Sequence, residues 1–140
     1  MTPELELVMT LRVEIAPPLV IGEVGGGLRR VIPITGGAFE GPQIRGEVLP
    51  GGADWNLTRP DGVAEVWARY TLRADDGTLI GIVNAGLVVP QPDGSRLART
   101  VPQFEVAGEQ YSWLRRGVFV GTLAPAEGGG GVRLQFFRVS

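Results

Sequence analysis

The sequence predicts an all-β fold, a single antiparallel β-barrel of about eight to ten strands with little or no helix. Short apolar runs alternate with turn residues along the whole chain. No segment keeps a 3.6-residue apolar period. Glycines at positions such as 46, 81 and 121 interrupt strand-like runs, and the bends of a closed sheet commonly use glycine there. Single domains mostly run about 100–200 residues, so we expect one domain over residues 1–140.

The first predicted strand carries the clearest pattern. From Leu5 to Ile15 every odd position is apolar, whereas the even positions are almost all polar. Alternation with period two indicates a long strand that buries one face. Pro17 and Pro18 follow it, and proline cannot donate to a strand ladder. We therefore place the end of the strand before them.

Nine further strands are predicted at short intervals, with glycine, proline and aspartate between them. They lie at residues 20–24, 29–35, 44–49, 54–58, 63–73, 79–85, 98–106, 118–123 and 132–139. Gly36-Gly37 is expected to end the strand before it, and Glu109–Leu114 forms at most one helical turn. Such spacing is typical of a sandwich or a barrel. The barrel is favoured because closure removes exposed strand edges.

Asp76-Gly77 predicts a β-hairpin with a two-residue turn between 63–73 and 79–85. That register sets Arg69 opposite Asn84 and Tyr70 opposite Val83. One face of the hairpin is then small and apolar, and the other mixes charged residues with Trp67 and Ile82. Such a mixed face either lines a partly polar cavity or packs on another subunit. We therefore expect a homo-oligomer, most simply a dimer.

The amino acids that are absent exclude much chemistry. The chain has no His and no Cys, and all 13 basic residues are Arg, so Lys is absent too. Ser-His-Asp and Cys-His nucleophile systems therefore cannot form. Zinc, copper, iron–sulfur and haem sites lose their usual ligands, and a P-loop or Schiff-base lysine is missing. We expect no cofactor and no metal, and proton transfer is left to Asp, Glu, Tyr, substrate or water.

Charge and hydropathy bear on partners and location. The formal net charge is −2 and no basic stripe is present, which argues against nucleic acid. The segment from Met1 to Leu11 carries Glu4 and Glu6 where a signal peptide has a basic start and an apolar run. No stretch approaches the ~20 apolar residues that cross a bilayer. We expect a cytoplasmic protein with no membrane partner.

The segment from Thr35 to Trp55 is the densest in chemistry. It embeds Glu40 and Asp54 among glycines and apolar residues. If these carboxyls face a cavity, loss of water raises their pKa towards the range that a general acid or base needs. The alternative is two bent strands whose charges point to water, since exposed charge is the rule for Asp and Glu.

Five further side chains are candidates for catalysis or ligand binding. Tyr70 could take part in proton transfer, and Arg69 with Asn84 could clamp an anion or a carbonyl oxygen. Trp55, which follows Asp54, and Trp113 could line a cavity mouth. Each has a structural alternative, because tryptophan rings commonly pack in cores and cross-strand polar pairs commonly lie on outer faces.

The motifs of residues 30–55 resemble a known bacterial family. They read I-P-I-T-G-G-x-F-E-G-P and R-G-x-V-L-P-G-G-A-D-W, and later blocks A-R-Y-T-L, D-D-G and Y-S-W-L fit as well. Together they are similar to domain-of-unknown-function family 3237 over nearly the whole chain. The resemblance implies a small antiparallel barrel like the lipocalin-like and allene-oxide-cyclase-like barrels, often oligomeric. The family pattern Y-x-W-L-N has Arg115 here at its last position, which changes the polar groups of that corner.

Fold and residues together suggest a barrel that binds a small organic ligand in its lumen. One hypothesis is a cofactor-free acid–base enzyme, an isomerase, cyclase, hydratase or lyase, that acts on a small, partly apolar carbonyl compound. Glu40 or Asp54 would move the proton, and Tyr70, Arg69 or Asn84 would hold an oxygen. The alternative is a non-catalytic ligand-binding or structural oligomeric barrel. A carboxyl with a raised pKa and no Arg partner would favour the enzyme.

Overall fold

A computed structural model describes residues 1–140 and confirms the predicted all-β barrel with its ten strands. The strands are β1 (Leu5–Ile15), β2 (Leu19–Glu23), β3 (Leu28–Glu40), β4 (Arg45–Val48), β5 (Ala53–Thr58), β6 (Ala64–Ala74), β7 (Leu79–Pro90), β8 (Arg96–Val106), β9 (Val118–Pro125) and β10 (Gly131–Val139). One helical turn, α1 (Trp113–Arg116), lies between β8 and β9. No helix is long and apolar enough to span a bilayer.

The strands close into a ring of eight positions in which all neighbours are antiparallel. The order β1-β10-β9-β8-β7-β6 is completed by β4 and β5, which share one position, and then by β3. β3 closes the ring because its second half pairs with β1. Its first half extends beyond β1 and pairs with β2. Pro17 and Pro18 separate β1 from β2, as predicted.

The third strand is longer than predicted because Gly36-Gly37 bends it without ending it. Gly37 has a φ of +137°, a conformation that glycine adopts at little cost. Its α-carbon packs so closely on β1 that a β-carbon would overlap the carbonyl oxygen of Arg12. The glycine pair therefore lets β3 curve through the point where the barrel closes.

The observed register of the β6–β7 hairpin differs from the predicted register by one residue. Ala74 and Thr78 are hydrogen-bonded across a three-residue loop, where a two-residue turn was predicted. As a result Arg69 lies opposite Val83, and Asn84 lies opposite Ala68. Because successive side chains alternate between faces, this shift moves Asn84 from the mixed face of Trp67 and Arg69 to the face of Ala68 and Tyr70, which is the inner one.

One end of the barrel is packed solid. Phe104 contacts both Phe119 and Phe136 edge to face, with ring centroids 5.2 and 5.9 Å apart. Met9, Leu72 and Ile80 are fully buried around them, and Leu114 of α1 covers the same end. Aromatic and aliphatic burial on this scale is the main stabilising contribution to the fold. The other end, between the first half of β3 and the ends of β6 and β7, is hollow.

Gly37→Ala tests the bend in β3. We expect it to lower the free energy of unfolding by about 2–4 kcal/mol, because alanine is strained at this φ and its methyl group displaces β1. Gly26→Ala is the control, since nothing lies within 4 Å of its added β-carbon, and it should change stability by less than about 0.5 kcal/mol. Urea unfolding measures both. Equal stability of the two variants would contradict this account of the closure.

Candidate functional site

The hollow end of the barrel encloses a cavity of about 600 Å³. Small inward side chains leave this space, namely Ala64, Ala68, Ala98 and Ala124. A cavity of this volume lies in the range of about 300–1,000 Å³ that small-molecule sites occupy. Its lining is mainly apolar, with polar side chains gathered on two of its walls.

The charged wall of the cavity consists of Arg30 on β3 and of Asp54 and Asn56 on β5. Alternation along the paired strands directs all three side chains inward. The Asn56 amide donates to Asp54 Oδ2 at 3.3 Å, and Arg30 Nη2 donates to Asn56 Oδ1 at 3.3 Å. The other Asp54 oxygen, Oδ1, accepts the backbone N–H of Trp67 at 3.0 Å. Asn56 therefore stands between the carboxyl and the guanidinium.

Burial raises the pKa of the Asp54 carboxyl above its ordinary value of 3.8. The hydrogen bonds from Trp67 and Asn56 and the charges of Arg30 and Arg29 act in the opposite direction, and burial outweighs them. No arginine forms a salt bridge with this carboxyl. Asp54 is also the one acidic residue that lines the cavity. It is therefore a desolvated carboxyl without an ion-pair partner.

The neutral wall consists of Tyr70 on β6 and Asn84 on β7. Thr100 on β8 lies next to Asn84 on the inner face but outside the cavity lining. Asn84 pairs with Ala68 and Pro102, which makes Tyr70 and Thr100 its diagonal neighbours on the inner face. All three residues are buried, at 4, 1 and 1% exposure. The Tyr70 hydroxyl, Asn84 Oδ1 and Thr100 Oγ1 have no hydrogen-bond partner. Burial also raises the pKa of Tyr70, so its hydroxyl stays protonated.

The remaining walls are apolar and come from the strands opposite. They are lined by Val13, Ile15, Leu123, Val132 and Leu134 of β1, β9 and β10. Arg96 on β8 lies at the edge of the cavity and is exposed. A compound with one apolar face and polar atoms along one edge matches this distribution. The structure brings no three acidic side chains together that could hold a metal ion.

Of the predicted site residues, the structure brings Asp54, Tyr70 and Asn84 together at the cavity. Glu40 is exposed at the far end of β3, beside Arg45 on the outer surface, and does not meet Asp54. Of the two carboxyls proposed to face the cavity, only Asp54 does so, and the role proposed for Glu40 is wrong. The cause is the bend at Gly36-Gly37, which carries β3 past the closure and away from the hollow end.

Trp55, Arg69 and Trp113 also lie outside the cavity. Trp55 follows Asp54 and Arg69 precedes Tyr70, and both of these neighbours point inward. Because side chains alternate along a strand, Trp55 and Arg69 point outward. Trp55 packs edge to face on Trp67 with ring centroids 5.7 Å apart. Trp113 packs against Phe119 at the solid end, where Arg138 lies over its ring. None of the three residues lines the cavity at the hollow end, and Trp55 and Arg69 line a separate pocket of about 1100 Å³ instead.

Arg30 and Asn56 are cavity polar residues that the sequence reasoning missed. A signal was present, because Arg30 shares its alternation phase with Ile32 and Ile34, which are apolar. Arg115, which departs from the family pattern, lies outside the cavity and donates to the carbonyl oxygens of Val106 and Gly108.

The sequence matches proteins whose names state little about function. Residues 3–139 match the family described as protein of unknown function (DUF3237). A UPF0311 protein of Rhodopseudomonas palustris (strain TIE-1) is 38% identical over 139 residues, covering 89% of this chain and 91% of that protein. A hydroalkoxylation enzyme of Penicillium herquei is 24% identical over 120 residues, covering 86% of this chain and 74% of that enzyme.

Two solved structures share the fold. A β-barrel-like protein from Acinetobacter baumannii AYE has a TM-score of 0.93 at 31% identity, covering 100% of this chain and 98% of that chain. An enzyme from Penicillium herquei has a TM-score of 0.82 at 21% identity, covering 100% of this chain and 96% of that chain. At the lower identity the likeness shows the shared fold alone.

Tyr70→Phe tests whether the Tyr70 hydroxyl lacks a partner within the protein. Removing an unpartnered buried hydroxyl should leave the free energy of unfolding unchanged or raise it slightly. Tyr111→Phe is the matched control, since the Tyr111 hydroxyl donates to Asp76 at 3.0 Å, and it should cost about 0.5–1.5 kcal/mol. Chemical denaturation measures both. A loss above about 1 kcal/mol for Tyr70→Phe would show that the hydroxyl is already bonded.

Asp54→Asn tests the desolvated carboxyl through the pH dependence of stability. The raised pKa of Asp54 means that the fold favours the protonated carboxyl, so ionisation destabilises the fold as pH rises through that pKa. Asparagine does not ionise. The stability of the variant relative to the unaltered protein should therefore increase from pH about 4 to about 8.

Asp61→Asn is the control with the opposite sign. Arg59 and the Val63 N–H lower the pKa of Asp61, so its carboxylate stabilises the fold above the ordinary Asp pKa and loses that effect as pH falls. Relative to the unaltered protein, this variant should lose stability as pH rises. Urea unfolding over a pH series extended down to about 2 measures both, because the change at Asp61 falls below about pH 5. Parallel pH profiles for Asp54→Asn and the unaltered protein would contradict the assignment.

Proposed function

The chain belongs to the DUF3237 family, and we propose that it is an enzyme that uses Asp54 to move protons on a small, partly apolar carbonyl compound. One observation carries the proposal. A single half-buried carboxyl, with a raised pKa and no ion pair, lines a partly open cavity that also holds unpartnered polar groups. Buried groups with shifted pKa values in a cleft are typical of catalytic sites.

Asp54 is suited to act as both proton acceptor and proton donor. A general acid–base group works best when its pKa lies near the working pH, and burial moves the pKa of this carboxyl in that direction. The hydrogen bonds from Trp67 N–H and Asn56 hold the carboxyl in one orientation. The chain has no His, Cys or Lys, so no commoner proton carrier competes with it.

Tyr70 and Asn84 are placed to bind an oxygen of the compound. The Tyr70 hydroxyl stays protonated and can donate a hydrogen bond, and the Asn84 carboxamide has donor and acceptor groups. Donors fixed in a site that excludes water stabilise the charge that develops on a carbonyl oxygen during proton transfer. Ala68, which lies between Asp54 and Asn84, leaves room for the compound between the two walls.

The reaction that we propose is the addition of a hydroxyl group across a carbon–carbon double bond conjugated to the carbonyl. Asp54 accepts the hydroxyl proton, the oxygen forms a bond to the β-carbon, and the same proton is returned to the α-carbon. The product is an isomer of the substrate, so no co-reactant is consumed. The Penicillium herquei relative named a hydroalkoxylation enzyme supports this reaction class.

The alternative is a barrel that binds the same class of compound without transforming it. The link from Asp54 through Asn56 to Arg30 favours this reading, because it gives each of these polar groups a partner within the fold. The two functions differ in whether the carboxyl of Asp54 changes the rate of a reaction. Binding alone does not distinguish them.

Cyclisation of 2′-hydroxychalcone to flavanone tests the proposed function. The compound is a partly apolar ketone whose phenol adds to its own conjugated double bond, and loss of the chalcone absorbance follows the reaction. The protein should accelerate the cyclisation over buffer at neutral pH. Asp54→Asn should lower the rate by roughly 10²- to 10⁴-fold, the usual contribution of a general acid–base group.

Glu40→Gln is the matched control, because it removes an exposed carboxyl outside the cavity and should leave the rate unchanged. Solvent deuterium exchange at the α-carbon of flavanone provides a second readout of proton transfer. Binding of the chalcone with neither cyclisation nor exchange would favour the non-catalytic barrel. Equal rates for Asp54→Asn and the unaltered protein would exclude Asp54 as the proton carrier.

A further inference from the structure

Arg30 carries a charge that no carboxylate neutralises directly. Its side chain lines the cavity, and its one hydrogen-bond acceptor is the neutral amide oxygen of Asn56 at 3.3 Å. Its Nε atom is buried and has no partner. Arginine offers five donors and normally satisfies most of them when it leaves water. Part of this guanidinium is therefore available to a group that the protein itself does not supply.

Five of the other arginines are ion-paired. Arg45, Arg59, Arg73, Arg115 and Arg138 form salt bridges with acidic residues on the outer surface. The chain has 15 acidic residues, yet the cavity receives only Asp54. That carboxyl is separated from Arg30 by Asn56. Arginine–carboxylate salt bridges therefore occur on the outer surface but not inside the barrel.

The inner surface is consequently more positive than the protein as a whole. Arg30 and Arg96 both line the cavity, Arg96 at its edge and without a hydrogen bond or a salt bridge, against one acidic residue. The formal net charge of the chain is −2. A positive pocket in a protein of opposite net charge attracts anions, and the effect is strongest where apolar walls exclude water.

We propose that Arg30 selects compounds that carry an oxyanion, a carboxylate or a phenolate, and binds this group in the charged wall of the cavity. The inference rests on the proposed function, since it names the substrate class of the same site. Arg30 is a specificity residue in this account. The oxyanion replaces the missing partner of the guanidinium, and the apolar body of the compound lies along Val13, Val132 and Leu134 on the opposite walls.

Binding of charged and neutral probes of equal shape tests this inference. The first pair is trans-cinnamate with trans-cinnamamide, and the second is 4-nitrophenolate with 4-nitroanisole, at a pH of about 8 where the phenol is ionised. Calorimetry should give Kd values roughly 10- to 100-fold lower for the anion in at least one pair, as a hydrogen bond to a charged group predicts. Preference in the first pair identifies a carboxylate, and preference in the second a phenolate.

Arg30→Gln should remove this preference while it leaves the neutral probe bound with unchanged affinity. Arg30→Lys keeps the charge without the planar fork and should retain part of the preference. Arg69→Gln, outside the barrel, is the control and should retain all of it. The comparison of probes on the unaltered protein does not depend on whether a variant folds.

Equal affinities for anion and neutral probe in both pairs, or no anion binding at millimolar concentration, would overturn the inference. So would full preference in the Arg30→Gln variant. These failures are distinct from failure of the proposed function. Cyclisation that depends on Asp54 without any anion preference would overturn this inference alone. Anion preference without any effect of Asp54→Asn on the rate would overturn the proposed function alone.

Discussion

Loss of water around Asp54 is the constraint on which the account of this site depends. It arises because β1 and β3 close the sheet into a barrel whose hollow end is lined by alanines and other small side chains. The half-buried carboxyl of Asp54 on the inner face of β5 then loses part of its hydration and has no ion-pair partner. The same closure of the sheet buries the neighbouring polar side chains of Asn56, Tyr70 and Asn84.

The two ends of the barrel have opposite effects on stability. The solid end buries three phenylalanines and a set of aliphatic side chains, which stabilises the closed sheet. The hollow end contains buried groups without hydrogen bonds, on Arg30, Tyr70 and Asn84. Each such group costs about 1–3 kcal/mol. Packing at one end therefore offsets the cost of burying polar groups without partners at the other.

Local patterns in the sequence predict the strands well. They do not predict how β3 bends, which register the hairpin takes or which side chains meet across distant strands. Alternation in β1 and the turn residues identify ten strands and the barrel. The same patterns place Gly36-Gly37 at a turn, because glycine suits a bend within a strand as well as a strand end. A hairpin loop of three residues in place of two reverses the face of Asn84. The inward position of Arg30 follows the phase of Ile32 and Ile34, but its proximity to Asn56 depends on pairing between distant strands.

Titration of the Asp54 side-chain carboxyl by carbon-detected NMR tests the central claim most directly. The resonance is assigned by its loss in Asp54→Asn. We predict a midpoint above the ordinary Asp value of 3.8, because burial raises the pKa of this carboxyl more than its hydrogen bonds lower it. A midpoint at or below 3.8 would show that the carboxyl is solvated or ion-paired, and it would contradict the account of the cavity given above.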